Sequence, residues 1–429
     1  MKYCFFILLL VLASCNKDLL DTEPIDRGVL PLSPYVAIGG SETAGFADGA
    51  LHLQAQQYSY PALIARQLQQ VGGGRFAQPL TIDSGGFVLL DGQLNSRLKL
   101  GYKFDCKGNE VITPVRGEIT ANTLASYTSS SESGPYGNWG LPFLKVAQIQ
   151  EQNLSASNNF YYRMGADTTT LLVAINNRNP KLFTIWLGME DILDNAINQA
   201  PEVAPINFYN YLVPLLDSLT QDTSAAGFIA TLPDVTAFPF FNTIPYNALL
   251  LDQTMADALN QTYAGTGMTF KAGNNAMVIT DPTAPSGKRQ ILPTEKLVLS
   301  LPLDSLKCGN WGAQVPVSAR YVLDVQELEF LRYQVENYNF FIKDLATNKG
   351  LNVVDINALY QRLDLGFNIN GQVFNNTMIY GGFFSLDGIN PSYRGAALIA
   401  NEFIRVMNAN YRASIPLVSI GQQPGIVIP

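Results

Sequence analysis

Val36-Ala37-Ile38-Gly39-Gly40-Ser41-Glu42-Thr43-Ala44-Gly45 is the stretch that decides the fold. From Tyr35 to Ile38 the run is short and apolar and stops at glycines, as a buried parallel strand does. Gly39 and Gly40 permit a tight turn, and Gly45 loosens the loop beyond it. A serine at the end of such a strand is placed as a nucleophile is placed. The pattern is not the G-x-S-x-G elbow, because Thr43 stands where the last glycine would.

Outward from this stretch, strands alternate with helical patterns. Pro61 in the first turn and the apolar spacing predict a helix over Tyr60–Gln70. Leu182–Leu187, Gly227–Leu232 and Asn352–Ile356 read as further buried strands. Helical spacing covers Phe208–Leu219, the long stretch Arg320–Lys349, and Arg394–Met407. The alternation predicts an α/β fold with three α/β/α layers and a parallel sheet of about five strands. Two regions interrupt it, 72–130 and 236–318, rich in Gly, Ser, Thr or Pro. They read as insertions beside the site, with a helical piece near Leu249–Tyr263 and an apolar strand at Lys296–Leu301. Gly72-Gly73-Gly74 lacks the strand-then-helix context of a phosphate loop.

A second block, Ser385-Leu386-Asp387-Gly388-Ile389-Asn390-Pro391, closes the chain's chemistry. With the Ser41 stretch it resembles the first and last signature blocks of the SGNH (GDSL-type) hydrolases, in particular a large bacterial lipoprotein subgroup. Gly137-Asn138-Trp139-Gly140 and Leu187-Gly188-Met189-Glu190-Asp191 stand where that family's middle blocks would. The resemblance implies hydrolysis of acyl, lipid or carbohydrate esters. Ser41 would be the nucleophile and Asp387 the acid that orients the base. The oxyanion donors would come from Ser41, Gly140 and the residue at 190. Two positions depart from the pattern. Asn390 stands where the base histidine belongs, and an amide has no basic lone pair near neutral pH. Glu190 stands where an oxyanion asparagine belongs, and a carboxylate repels a developing oxyanion. The expectation is a degenerate site kept for binding an acyl or glycan ester ligand. The first alternative is an active serine esterase with Glu190 or His52, the sole histidine, as base. The second is a structural partner in an outer-membrane complex.

The N-terminus carries a different signal. Lys2, the apolar run Phe5–Leu12 and Leu12-Ala13-Ser14-Cys15 read as a secretory leader over 1–14 that ends in a lipobox. Cys15 is then the lipidated first residue, followed by a tether over 15–30 and one domain over 31–429. Several acyl chains on one residue anchor stably, which predicts an exported protein at the outer membrane or cell surface. The formal charge of −8 and the absence of basic clusters argue against nucleic acid as a partner. Cys106 and Cys308 remain after processing. Outside the cytoplasm they either pair or stay separate thiols, and spacing alone does not decide. One histidine and this cysteine spacing predict no metal site, and nothing in the chain calls for a cofactor.

Overall fold

The computed structural model describes residues 24–165 and 169–429. The leader, Cys15 and the tether as far as 23 lie outside the described residues. From Asp26 on, the chain is already docked on the body of the protein. Asp26 N–H donates to Ser414 Oγ, Val29 N–H donates to Tyr411 O, and Leu30 is buried.

A five-stranded parallel sheet forms the centre. Its strands are β1 (Tyr35–Gly39), β2 (Asn138–Gly140), β3 (Leu182–Trp186), β4 (Ala226–Ala230) and β5 (Asn352–Val354). They lie in the order β2-β1-β3-β4-β5, all neighbours parallel. Every residue of β1, β3 and β4 is buried, which is why these strands read as unbroken apolar runs. Helices flank the sheet as outer layers, giving the α/β/α class. Among them, α1 (Ser41–Ala44) follows β1 directly, and α2 (Tyr60–Gln70) packs with α6 (Tyr393–Tyr411). The helices α3 (Met189–Asn198) and α4 (Pro205–Leu219) pack with α5 (Val325–Lys349). Asp324 caps α5 through a reciprocal capping box with Glu327, and Gly350 closes it in a left-handed conformation.

The strand order has one reversal. The chain runs from β1 to β2 on one side, then returns to build β3, β4 and β5 on the other. The crevice between the carboxyl ends of β1 and β3 is therefore the topological switch point, where open α/β sheets place ligands.

The interrupting regions are hairpin-rich. A ribbon pairs Leu98–Phe104 with Glu110–Arg116, and a short helix covers Ala121–Thr128. The second region holds a helix at Gln253–Thr262 and a small core of its own around Leu259, Tyr263 and Phe270. The expected strand Lys296–Leu301 shrinks to Lys296–Leu297, paired antiparallel with Val322–Leu323. Cys106, at the ribbon's turn, is disulfide-bonded to Cys308, with 6.3 Å between Cα atoms. The bridge ties the two regions together. Phe238 and Phe241 are fully buried core residues, and Phe240 is buried edge-on against Phe241.

Candidate active site

Ser41 opens α1 at the switch point, with Gly40 as the N-cap residue, and it is only 3% exposed. The turn is tight because backbone approaches backbone. A Cβ on Gly140 would sit 2.2 Å from Ala44 N, and one on Gly39 would sit 2.5 Å from Trp186 O. Only glycine fits at these two strand ends, which brings β1, β2 and α1 together.

Glu190 arrives from β3, in the first turn of α3. Its Oε1 accepts the Ser41 backbone N–H at 3.2 Å and also accepts the Ser41 hydroxyl in a close contact. One carboxylate oxygen therefore takes both donors of the serine. Burial pushes the Glu190 carboxyl above its usual range, and the hydrogen bonds from Ser41 and Phe143 pull it back.

The second backbone donor is not the expected one. Gly140 N–H donates to Asn138 Oδ1 at 2.8 Å, so it is already used inside β2. Phe143 N–H instead reaches Ser41 Oγ, at 3.2 Å. Phe143 holds a left-handed backbone, φ 62°, which a bulky residue adopts at a cost. Sequence reasoning had no means to find it, because a phenylalanine carries no signal for positive φ.

Glu42 is the other residue the sequence reading passed over. A Cβ on Gly40 would lie 3.4 Å from Glu190 Oε1 and 3.6 Å from Glu42 Oε2, so the two carboxyl groups hang over the same turn. Burial, then Glu190, then Asp387 push the Glu42 carboxyl up to about 8. Glu42 and Pro391 line the same small cavity, which puts the C-terminal block beside the Ser41 turn.

Asp387 and Asn390 keep the geometry of an acid and the group it orients. Asp387 Oδ1 accepts the N–H groups of Ile389 and Asn390 at 2.9 and 2.8 Å. Its Oδ2 accepts Gly49 N–H at 3.0 Å and Asn390 Nδ2 at 3.1 Å. A carboxylate only accepts, so the amide nitrogen must face Asp387 and the amide oxygen must point elsewhere. That Asn390 Oδ1 is buried and has no hydrogen-bond partner among the described residues.

His52 is built into another structure. Its Nδ1 caps the short helix Leu53–Gln57, accepting Ala55 N–H at 3.3 Å, and Arg97 Nη1 lies at the same distance. Arginine can only donate, so Nδ1 is the acceptor and the proton sits on Nε2, which faces Asp48 Oδ2 at 3.7 Å. Burial, then the positive charge of Arg97, holds His52 well below the usual histidine range. None of its contacts is with Ser41.

Ser41 is hydrogen-bonded to Glu190 and Asp387 to Asn390, no hydrogen bond joins the two pairs among the described residues, and His52 contacts neither pair. Among the described residues no group of three His, Cys, Asp or Glu is placed to hold a metal ion. No described helix is long and apolar enough to cross a membrane.

No family model matches the chain, and no curated protein matches it. Among solved structures it is similar to a "putative GDSL-like lipase" from Parabacteroides merdae ATCC 43184. The likeness covers 88% of this chain and 98% of that one, at 11% identity and a TM-score of 0.35. A likeness that slight transfers neither a residue role nor a substrate.

Proposed function

We propose that this chain is an SGNH-type esterase-fold lipoprotein whose Ser41 centre is impaired for hydrolysis and retained for binding. It would be held at the outer membrane or cell surface through Cys15. Its ligand would be an acyl or glycan ester, or a fragment of one. The observation that carries the reading is the position of Glu190 Oε1 on the Ser41 N–H.

Acyl transfer needs a base for the serine proton and free N–H groups for the oxyanion. Here Ser41 N–H is the donor an oxyanion would use, and a carboxylate oxygen already fills that place. Phe143 N–H is spent on Ser41 Oγ. Asp387 orients a side chain that cannot take a proton. Each half of the machinery is present in outline, and each is blocked at one atom.

A second reading uses the other bond of the same oxygen. Ser41 Oγ donates to Glu190 Oε1, and burial raises that carboxyl, which makes it a better base than an exposed one. One experiment separates the two readings. A serine-directed fluorophosphonate is applied to the wild-type protein and to Glu190→Gln, and modification of Ser41 is read by mass spectrometry. The binding reading expects no labelling of either protein. Labelling of the wild type that Glu190→Gln abolishes would establish Glu190 as the base and end the impaired-site reading.

A further inference from the structure

A cavity of about 250 Å3 borders the Ser385–Leu386 side of the Asp387 loop and is not lined by Ser41. Its deeper end is polar, formed by Asp48, Gln54, Arg97 and Tyr393. The Arg97 and Asp48 side chains are each 15% exposed, whereas Val427 at the rim is 80% exposed. The outer walls are apolar: Leu98, Leu100, Leu386 and Ile426.

Arg97 is poorly satisfied for so buried a guanidinium. All its hydrogen bonds run through Nη1, to His52, Gln54 and Tyr393, at 3.2 to 3.4 Å. Its Nε is buried without a partner among the described residues. The Asp48 carboxylate is 4.0 Å away, and Asp48 Oδ1 is committed to Leu386 N–H at 3.0 Å. A guanidinium in such a place lacks the fork-to-fork carboxylate contact that best offsets its desolvation.

The apolar end does not stop at the rim. Side chains alternate along a strand, so Leu98, Leu100, Tyr102 and Phe104 share one face of the ribbon. Leu98 and Leu100 line the cavity. Tyr102 and Phe104 continue the same face in solvent, at 57% and 67% exposure, with Ile112 paired opposite Tyr102. Tyr102 OH reaches Pro429 O, so the track stays joined to the tail that walls the cavity.

We propose that this cavity and track bind a single-chain carboxylate amphiphile, a fatty acid, with its carboxylate on Arg97 and its chain running past Leu98 and Leu100 toward Tyr102. The cavity lies just below the range of about 300–1,000 Å3 usual for ligand clefts, so it holds the head and first carbons while the ribbon carries the rest. The site makes no use of Ser41, and its test needs no turnover.

The experiment is isothermal titration of the purified protein with dodecanoate below its micelle concentration, with dodecyltrimethylammonium as the cationic counterpart. Dodecanoate should bind saturably, one per chain, and the cation should not. Arg97→Gln and Leu100→Glu should each weaken dodecanoate at least tenfold, with folding checked by circular dichroism. If Arg97→Gln does not fold, the half-buried Leu100→Glu decides alone. No saturable binding by the folded wild type would overturn the proposal. So would equal binding of the cation, or wild-type affinity in the folded variants.

Discussion

The double change Asn390→His with Glu190→Asn tests the reading of the Ser41 centre at the two atoms that block it. Asp387 Oδ2 already accepts an N–H from position 390 at 3.1 Å, so it can hold the Nδ1–H of an imidazole there. Asparagine at 190 would release the Ser41 N–H, now bonded to Glu190 Oε1 at 3.2 Å, and would add an amide donor of its own. The size of the effect follows from the two losses. Removing one oxyanion donor costs about 100- to 1000-fold, and losing the base of a comparable triad costs about a millionfold, and the two do not multiply. Restoring both should raise hydrolysis of p-nitrophenyl acetate by at least about 1000-fold over the wild type. Asn390→His alone should restore little, because the Glu190 carboxylate still fills the oxyanion position. The rate must fall back when Ser41→Ala is added to the double variant. A folded double variant as inactive as the wild type would refute the reasoning, and so would brisk Ser41-dependent turnover by the wild type itself.

The remaining expectations concern stability and location. The Glu42 carboxyl is raised to about 8 in the folded protein, so the folded state holds the proton more tightly than the unfolded chain does. Stability should therefore fall as pH climbs from about 4.5 to about 8, by a few kcal/mol, and Glu42→Gln should flatten that slope in urea unfolding at pH 5, 7 and 9. The Cys106–Cys308 bridge spans 202 positions in sequence, and its loss through Cys308→Ser should destabilise the protein by up to about 5 kcal/mol by the chain-entropy argument. Calorimetry that finds no shift in Tm would show that the two bridged regions unfold independently. Cys15→Ala should move the protein from the membrane fraction to the soluble one. A variant that stays fully membrane-bound would contradict the lipid anchor.

What the sequence made legible follows from burial. The strand β1 is covered on both faces, so its apolar run is continuous and its end at Gly39 is sharp. The helix α2 announces itself through Pro61 in its first turn, and the structure adds a cap from the Ser59 side chain. The strand β2 was not legible. It is three residues, Asn-Trp-Gly, at the sheet edge, and only pairing with β1 makes it a strand. The site divides in the same way. Ser41 and Glu190 stand at strand-to-helix junctions that the pattern marks, and Asp387 stands in a turn that only the block around it marks. Phe143 and Glu42 enter through local geometry, a left-handed turn and a shared glycine, and neither leaves a periodic trace. His52 looked free in the sequence because a helix N-cap of its kind is unusual, and the cap absorbs its acceptor nitrogen.

The two substitutions at the centre are physically consistent with one another. Glu190 supplies an acceptor to both donors of Ser41, so the hydroxyl needs no base to satisfy it. With the serine proton held there, position 390 has only Asp387 to satisfy, and the amide nitrogen of Asn390 does that without carrying charge. Ser41 and Phe143 have their N–H groups satisfied, and the Asn390 oxygen is buried without a partner among the described residues, as is Asp191 Oδ1 beside Glu190. An under-satisfied carbonyl oxygen is a less rare exception than an orphaned N–H.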